Sequence, residues 1–183
     1  MRRSNFTAAL LVAMAALAPA ATMRGQLPIS VGVGGGVSSP QGGFSDNFDT
    51  GWHAMGTVAL GLPLLPIGLR ADVAYNRFGA KTPIAGSSGG AQRVVSGTLN
   101  ATYGLTIPLS PVTPYLIAGG GMYDVGCSGS LQCGSSNDFG WNAGVGLRLN
   151  AVVVKAFLEA RYHRVSMTGG SVQYVPVTLG VMF

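Results

Sequence analysis

The chain has 183 residues, a formal charge of +5 and only 9% charged residues. A soluble domain carries about 25% charged residues, so the composition excludes an ordinary water-facing coat. The basic residues are scattered, with no Lys/Arg run and no aromatic-interleaved basic stripe, which excludes a nucleic-acid surface.

Arg2 and Arg3 precede an apolar run from Phe6 to Leu17, and Ala18-Pro19-Ala20 places small residues at an A-x-A site. That pattern is a secretory signal peptide. The run is shorter than the about 20 residues a membrane helix needs. Cleavage after Ala20 would leave residues 21–26 as a short lead-in and 27–183 as one domain. Loss of the two arginines lowers the formal charge from +5 to +3. No later stretch approaches about 18 uninterrupted apolar residues, so a helical membrane protein is not expected.

The remainder alternates strand-like runs with polar connections. Residues 27–37 set Ile29, Val31, Val33 and Val37 against Ser30, Gly32, Gly34 and Gly36. A polar stretch, 38–50, leads to 51–62, with Trp52, Ala54, Val58, Leu60 and Leu62 on one face. After Pro63 to Pro66, residues 67–78 put Ile67, Leu69, Ala71, Val73 and Tyr75 opposite Arg70, Asp72 and Asn76. A loop at 79–92 follows, then 93–106, with Val95, Leu99, Ala101, Tyr103 and Leu105 opposite Ser96, Thr98, Asn100 and Thr102. Beyond the turn from Pro108 to Pro111, residues 114–125 give Tyr115, Ile117, Tyr123 and Val125 as the apolar face, opposite Leu116, Ala118, Met122 and Asp124. After a loop at 126–137, residues 138–150 set Phe139, Trp141, Ala143, Val145, Leu147 and Leu149 against Asn142, Gly144, Gly146 and Arg148. Residues 151–163 set Val152, Val154, Ala156, Leu158, Ala160 and Tyr162 against Lys155, Phe157, Glu159, Arg161 and His163. After a loop at 164–170, Val175, Val177, Leu179, Val181 and Phe183 line one face of a last strand.

This predicts an all-β, eight-stranded antiparallel up-and-down barrel. Long and short connections alternate, as in outer-membrane barrels, and an even strand count puts both ends of the chain on the periplasmic side. Of the aromatic side chains assigned to the apolar face, Trp52, Tyr75, Tyr123, Phe139, Trp141 and Tyr162 fall near the outer strand ends. Tyr103, Tyr115 and Phe183 fall near the periplasmic ends. Two such levels form aromatic girdles. No charge interrupts the apolar face in mid-strand, where it would cost about 2–4 kcal/mol against lipid. A soluble lipocalin-like barrel, the alternative, would put the bulky face inside and charge outside.

The segments Pro114–Tyr123, Phe139–Arg148, Phe157–His163 and Tyr174–Phe183 resemble the OmpA/OmpX-like outer-membrane β-barrel family, and the likeness extends over the mature chain. The resemblance implies an eight-stranded transmembrane barrel in the bacterial outer membrane. It also implies that the terminal strand, Val175, Val177, Leu179, Val181 and Phe183, is the signal read by the barrel assembly machinery. It supplies no catalytic residues, and with the terminal strand ending on Phe183 a peptidoglycan-binding domain is not expected.

The inward charges are expected to be Arg70, Asp72, Asp124, Arg148, Lys155, Glu159 and Arg161. Mixed signs in a narrow lumen should pair, because unpaired buried charge is expensive. Cys127 and Cys133 bracket a short outer loop, and an even pair in an exported chain reads as a disulfide. His53 and His163, with Asp124 or Asp138, have the donor types of a metal site, but their spacing fixes no ligand set. His163 and Ser166 lie three apart on opposite faces with no acid beside them, against a nucleophile–base pair. Gly32 to Gly36 lies within a strand and precedes no helix, against phosphate binding. The expected function is therefore a monomeric outer-membrane barrel with a structural or surface-contact role, in contact with lipid, with no cofactor, metal, nucleic acid or catalysis. A narrow gated pore is the alternative; a lipid-modifying enzyme and a soluble ligand-binding barrel rank below it.

Overall fold

The computed structural model describes residues 29–62, 66–81, 90–105, 107, 108, 110–128, 136–150 and 155–183. Eight strands follow in order: β1 Ile29–Gln41, β2 Gly51–Gly61, β3 Ile67–Gly79, β4 Ala91–Gly104, β5 Val112–Ser128, β6 Ser136–Asn150, β7 Lys155–Met167 and β8 Gly170–Met182. Each pairs antiparallel with its sequence neighbours, and β8 pairs back onto β1, which closes the barrel. Closure leaves no open sheet edge. The seam runs from Gly32↔Met182 to Gln41↔Gln173. It is extended by Phe183, whose N–H donates to the Val31 carbonyl at 2.7 Å and whose carbonyl accepts from Val31 at 3.0 Å.

Both described ends of the chain, Ile29 and Phe183, lie at one rim, here the lower. The upper rim differs from the sequence expectation in two places. Residues 164–167 continue β7, and Met167 pairs with Gly170 across a two-residue turn at Thr168 and Gly169, instead of forming a long loop. Gly169 has φ +93°, a backbone region that favours glycine in tight hairpins. Between β1 and β2, the stretch expected to be polar loop prolongs β1 to Gln41 and then forms a one-turn helix, α1 Phe44–Asn47. Phe44 is buried, so α1 folds over the barrel mouth. The Lys81 N–H donates to the Asn47 carbonyl and its Nζ to the Ser45 carbonyl, at 3.0 and 2.7 Å, which fastens α1 to the end of β3.

Facing is reversed in one strand. In β5 the residues turned inward are Tyr115, Ile117, Tyr123 and Val125, all buried, while Leu116, Ala118 and Met122 are exposed and Asp124 is half-buried on the outside. Both faces of β5 are apolar, so alternation by itself does not say which one is inside.

Candidate functional site: the lumen and the upper rim

Midway along the barrel, β3 and β7 carry four charged side chains into the lumen. Arg70 donates from Nε to Asp72 at 2.9 Å, and from both terminal nitrogens to the two Glu159 oxygens at 2.8 Å each. Arg161 donates to Asp72 Oδ2 at 2.8 Å and pairs with Glu159 through its Nε. Two cations and two anions therefore neutralise one another. Neutral groups complete the set. Tyr115 donates to Glu159 Oε2 at 2.6 Å, Asn100 donates to Asp72 Oδ2 at 2.9 Å, and Asn142 donates to Asn100 Oδ1 at 2.9 Å. A fork–fork Arg–carboxylate pair is the strongest geometry open to such groups. Satisfying the remaining lone pairs is what makes buried charge tolerable.

Small residues make the space. A Cβ at Gly146 or Gly180 would collide with the rings of Tyr115 and Phe157. Those rings in turn face cations: Arg70 lies 5.5 Å from the Phe157 centroid and Arg148 lies 5.0 Å from that of Tyr115.

Above this network is a second polar tier. Ser38 donates to Asn76 at 2.8 Å and lies 3.0 Å from His53 Nδ1, while His53 Nε2 lies 2.9 Å from Thr178. His163 Nδ1 lies 2.9 Å from the Tyr123 hydroxyl, and its ring stacks on Tyr174 at 4.9 Å. A void of about 20 Å³ remains among His53, Asp72, Arg161 and their neighbours, on the scale of a single water. Higher still, the interior turns apolar: Phe44, Phe78, Val94, Tyr123, Val125, Val165, Val172 and Tyr174 form one buried cluster, with Phe48 and Met167 packed against it. The barrel is blocked twice, by an ion-pair network in its middle and by a hydrophobic plug at its upper end.

Of the charges expected inside, Arg70, Asp72, Glu159 and Arg161 are brought together. Arg148 points inward but stacks on Tyr115, with no ion pair among the described residues. Lys155 is exposed at the lower rim. Asp124 was expected in the lumen; it lies outside, with an oxygen 3.4 Å from Arg93. Tyr115 and Tyr123 were expected in the girdle; both are buried in the lumen and hydrogen-bonded there. Tyrosine is amphipathic, and its hydroxyl finds a partner in a polar lumen as readily as at an interface. The other girdle residues lie on the exterior. Trp52 and Tyr75 adjoin at 5.6 Å, as do Trp141 and Tyr162, below the upper rim, and Tyr103 is exposed near the lower one. In β8, Val175, Val177, Leu179 and Val181 face outward, and Phe183 is 78% exposed.

Both histidines are buried lumen residues and not rim ligands; among the described residues no three His, Cys, Asp or Glu side chains converge. Cys127 lies at the upper end of β5, and Cys133 falls outside the described residues, as does the expected leader.

No helix among the described residues is long and apolar enough to cross a membrane. The strands supply the apolar surface instead: Val33, Leu69, Leu99, Leu116, Val145, Leu158 and Leu179 are all exposed around the barrel waist. A closed barrel that is apolar outside and charged inside is a membrane barrel, since closure satisfies every backbone group without water. The chain belongs to the family described as outer membrane protein beta-barrel domain, whose model matches residues 6–183. The protein is thus a bacterial outer-membrane protein. A search of curated proteins finds no match.

Solved structures of similar fold include Neisserial surface protein A (NspA), from Neisseria, at TM-score 0.63 and 16% identity, covering 84% of this chain and 95% of that one. A major outer membrane protein of Thermus thermophilus matches at TM-score 0.55 and 14% identity, over 85% and 99% of the two chains. The N-terminal β-barrel domain of Pseudomonas aeruginosa OprF matches at 0.50 and 16%, over 86% and 100%. At these identities the likeness is one of fold.

Proposed function

We propose that this protein is a closed, non-conducting barrel that works as a structural element of the outer membrane and through contacts made by its upper end. The observation that carries this reading is the double block. The Arg70–Glu159–Arg161–Asp72 network fills the waist and the cluster around Phe78 and Tyr174 seals the top. Passage of a solute would have to break buried ion pairs, at a cost of about 3–5 kcal/mol for each partner removed, and also dehydrate within an apolar plug.

The same reading holds that the chain is exported by a cleaved leader ending near Ala20, is monomeric and catalyses no reaction. Its last strand, with Phe183 paired into the seam, would serve as the assembly signal. Cys127 and Cys133 would close the loop between β5 and β6 as a disulfide; no free cysteine occurs among the described residues. Single-channel recording in planar bilayers tests the central claim. The expected result is folded protein, identified by its faster migration before boiling in SDS, that inserts without conductance steps. Steady ion-conducting events from that folded species would establish the narrow pore instead.

A further inference from the structure

Arg77 and Arg93 are 16 residues apart in sequence, and no basic run announces them. The β3–β4 register sets them directly opposite one another on the outside of the barrel. Side chains so placed have Cβ atoms about 5 Å apart, and like charges in that position repel. The local compensation is incomplete. Asp124 reaches Arg93 at a loose 3.4 Å, and Arg77 has no ion pair among the described residues. The Arg93 Nε is buried without a hydrogen-bond partner. Of these two opposed guanidinium groups, only Arg93 reaches a carboxylate among the described residues, and it keeps a buried donor left over.

Their level on the barrel identifies what could complete the set. Arg77 lies on the face of Tyr75, two residues nearer the upper rim, about 7 Å along the strand. Its other neighbour across the sheet is Trp52, which packs on Tyr75. Trp and Tyr sit at the headgroup level of a membrane. The arginines therefore stand just above the outer girdle, where the apolar wall ends and lipid headgroups begin. We infer that Arg77 and Arg93 form a clamp for the phosphate of an outer-leaflet lipid, with Trp52 and Tyr75 against its acyl–headgroup boundary. Paired guanidinium groups suit phosphate because several of their planar N–H groups can reach its oxygens together. Arg164, at a similar level across the barrel, pairs with Trp141 and Gln173 and has no second arginine opposite it, so it lacks the clamp.

The test uses the folded full chain in nanodiscs of zwitterionic phospholipid doped with either phosphorylated or enzymatically dephosphorylated lipid A. Native mass spectrometry reads the lipid retained. The protein should retain the phosphorylated form about tenfold more, as one net charge-assisted contact of about 1.4 kcal/mol implies. The Arg77→Gln/Arg93→Gln variant should lose that preference, whereas Arg164→Gln should keep it. Asp124→Asn, which removes the competing carboxylate, should increase retention, and it decides the matter if the double variant does not fold. Equal retention of both lipids, an unchanged preference in the double variant, or no gain in Asp124→Asn would overturn the clamp. Displacement of the lipid by millimolar inorganic phosphate would also overturn it, by identifying a free-anion site.

Discussion

The waist of the barrel and its upper extension are built from the same strands with opposite chemistry. At the waist, β3 shows Leu69 and Val73 to the outside and Arg70 and Asp72 to the inside; a few residues further on, it shows Arg77 outside and Phe78 inside. β4 changes from Leu99 outside and Asn100 inside to Arg93 outside and Val94 inside. β7 changes from Leu158 and Glu159 to Arg164 and Val165, and β8 from Leu179 and Thr178 to Gln173 and Tyr174. The pleat never slips; the solvent changes. Beside lipid the exterior must be apolar, and the interior can hold polar groups only if they satisfy one another. Above the membrane the exterior meets water, and the extension buries an apolar core like that of a soluble domain. One set of strands in unbroken register therefore carries two folding logics, and the change between them falls near Trp52, Tyr75, Trp141 and Tyr162, residue types that favour a membrane–water interface.

This contrast can be broken most severely at the waist. Glu159→Ala removes the carboxylate shared by Arg70, Arg161 and Tyr115, and leaves two buried guanidinium groups facing Asp72 alone. A loss of about 3–5 kcal/mol is expected, read as a lower urea midpoint for the unfolding of liposome-inserted protein. A stability within about 0.5 kcal/mol of the parent would mean that the network does not hold the waist together.

The contrast is sharpened by placing one residue type at two levels of the exterior. Leu99 is 73% exposed at the waist, and Ser166 is exposed in the extension. Leu99→Arg should cost about 2–4 kcal/mol because it puts charge against hydrocarbon. Ser166→Arg should stay within about 0.5 kcal/mol, since it faces water. Equal costs in the same unfolding assay would place the membrane boundary elsewhere.

The smallest effect lies where the two regions meet inside. Tyr123→Phe keeps the ring in the plug but removes the hydroxyl beside His163 Nδ1. A loss of about 1 kcal/mol is expected. A neutral result would show that His163 finds another partner when that hydroxyl is gone.

Much of the fold was legible in the sequence. Period two with bulky residues at alternate positions marked the strands, and where one face held charge, as with Arg70 and Asp72 in β3 or Glu159 and Arg161 in β7, parity also told inside from outside. In β5 that signal failed, because Tyr115 and Ile117 are no more apolar than Leu116 and Ala118. The assignment of Asp124 to the lumen followed from the same error. The polar residues Arg164, Ser166 and Thr168 make the 164–170 stretch look like a loop; Arg164 and Ser166 are the water-facing side of β7, whose Val165 and Met167 face the plug, and only Thr168 and Gly169 form the turn. Phe44 and Phe48, in a stretch otherwise full of glycine, serine and aspartate, were the one visible sign of a cap.

By itself, then, the sequence determined the strands, their order and the presence of charge inside, because these depend on local alternation and on turn residues. Tertiary structure decided who meets whom. Glu159 lies 89 residues from Arg70, Arg77 finds Arg93 only through the β3–β4 register, and Tyr115 takes its place in the network because Gly146 leaves room for its ring. Such partners are fixed by barrel closure and register, which bring distant residues into contact and leave no mark on the local pattern of either strand.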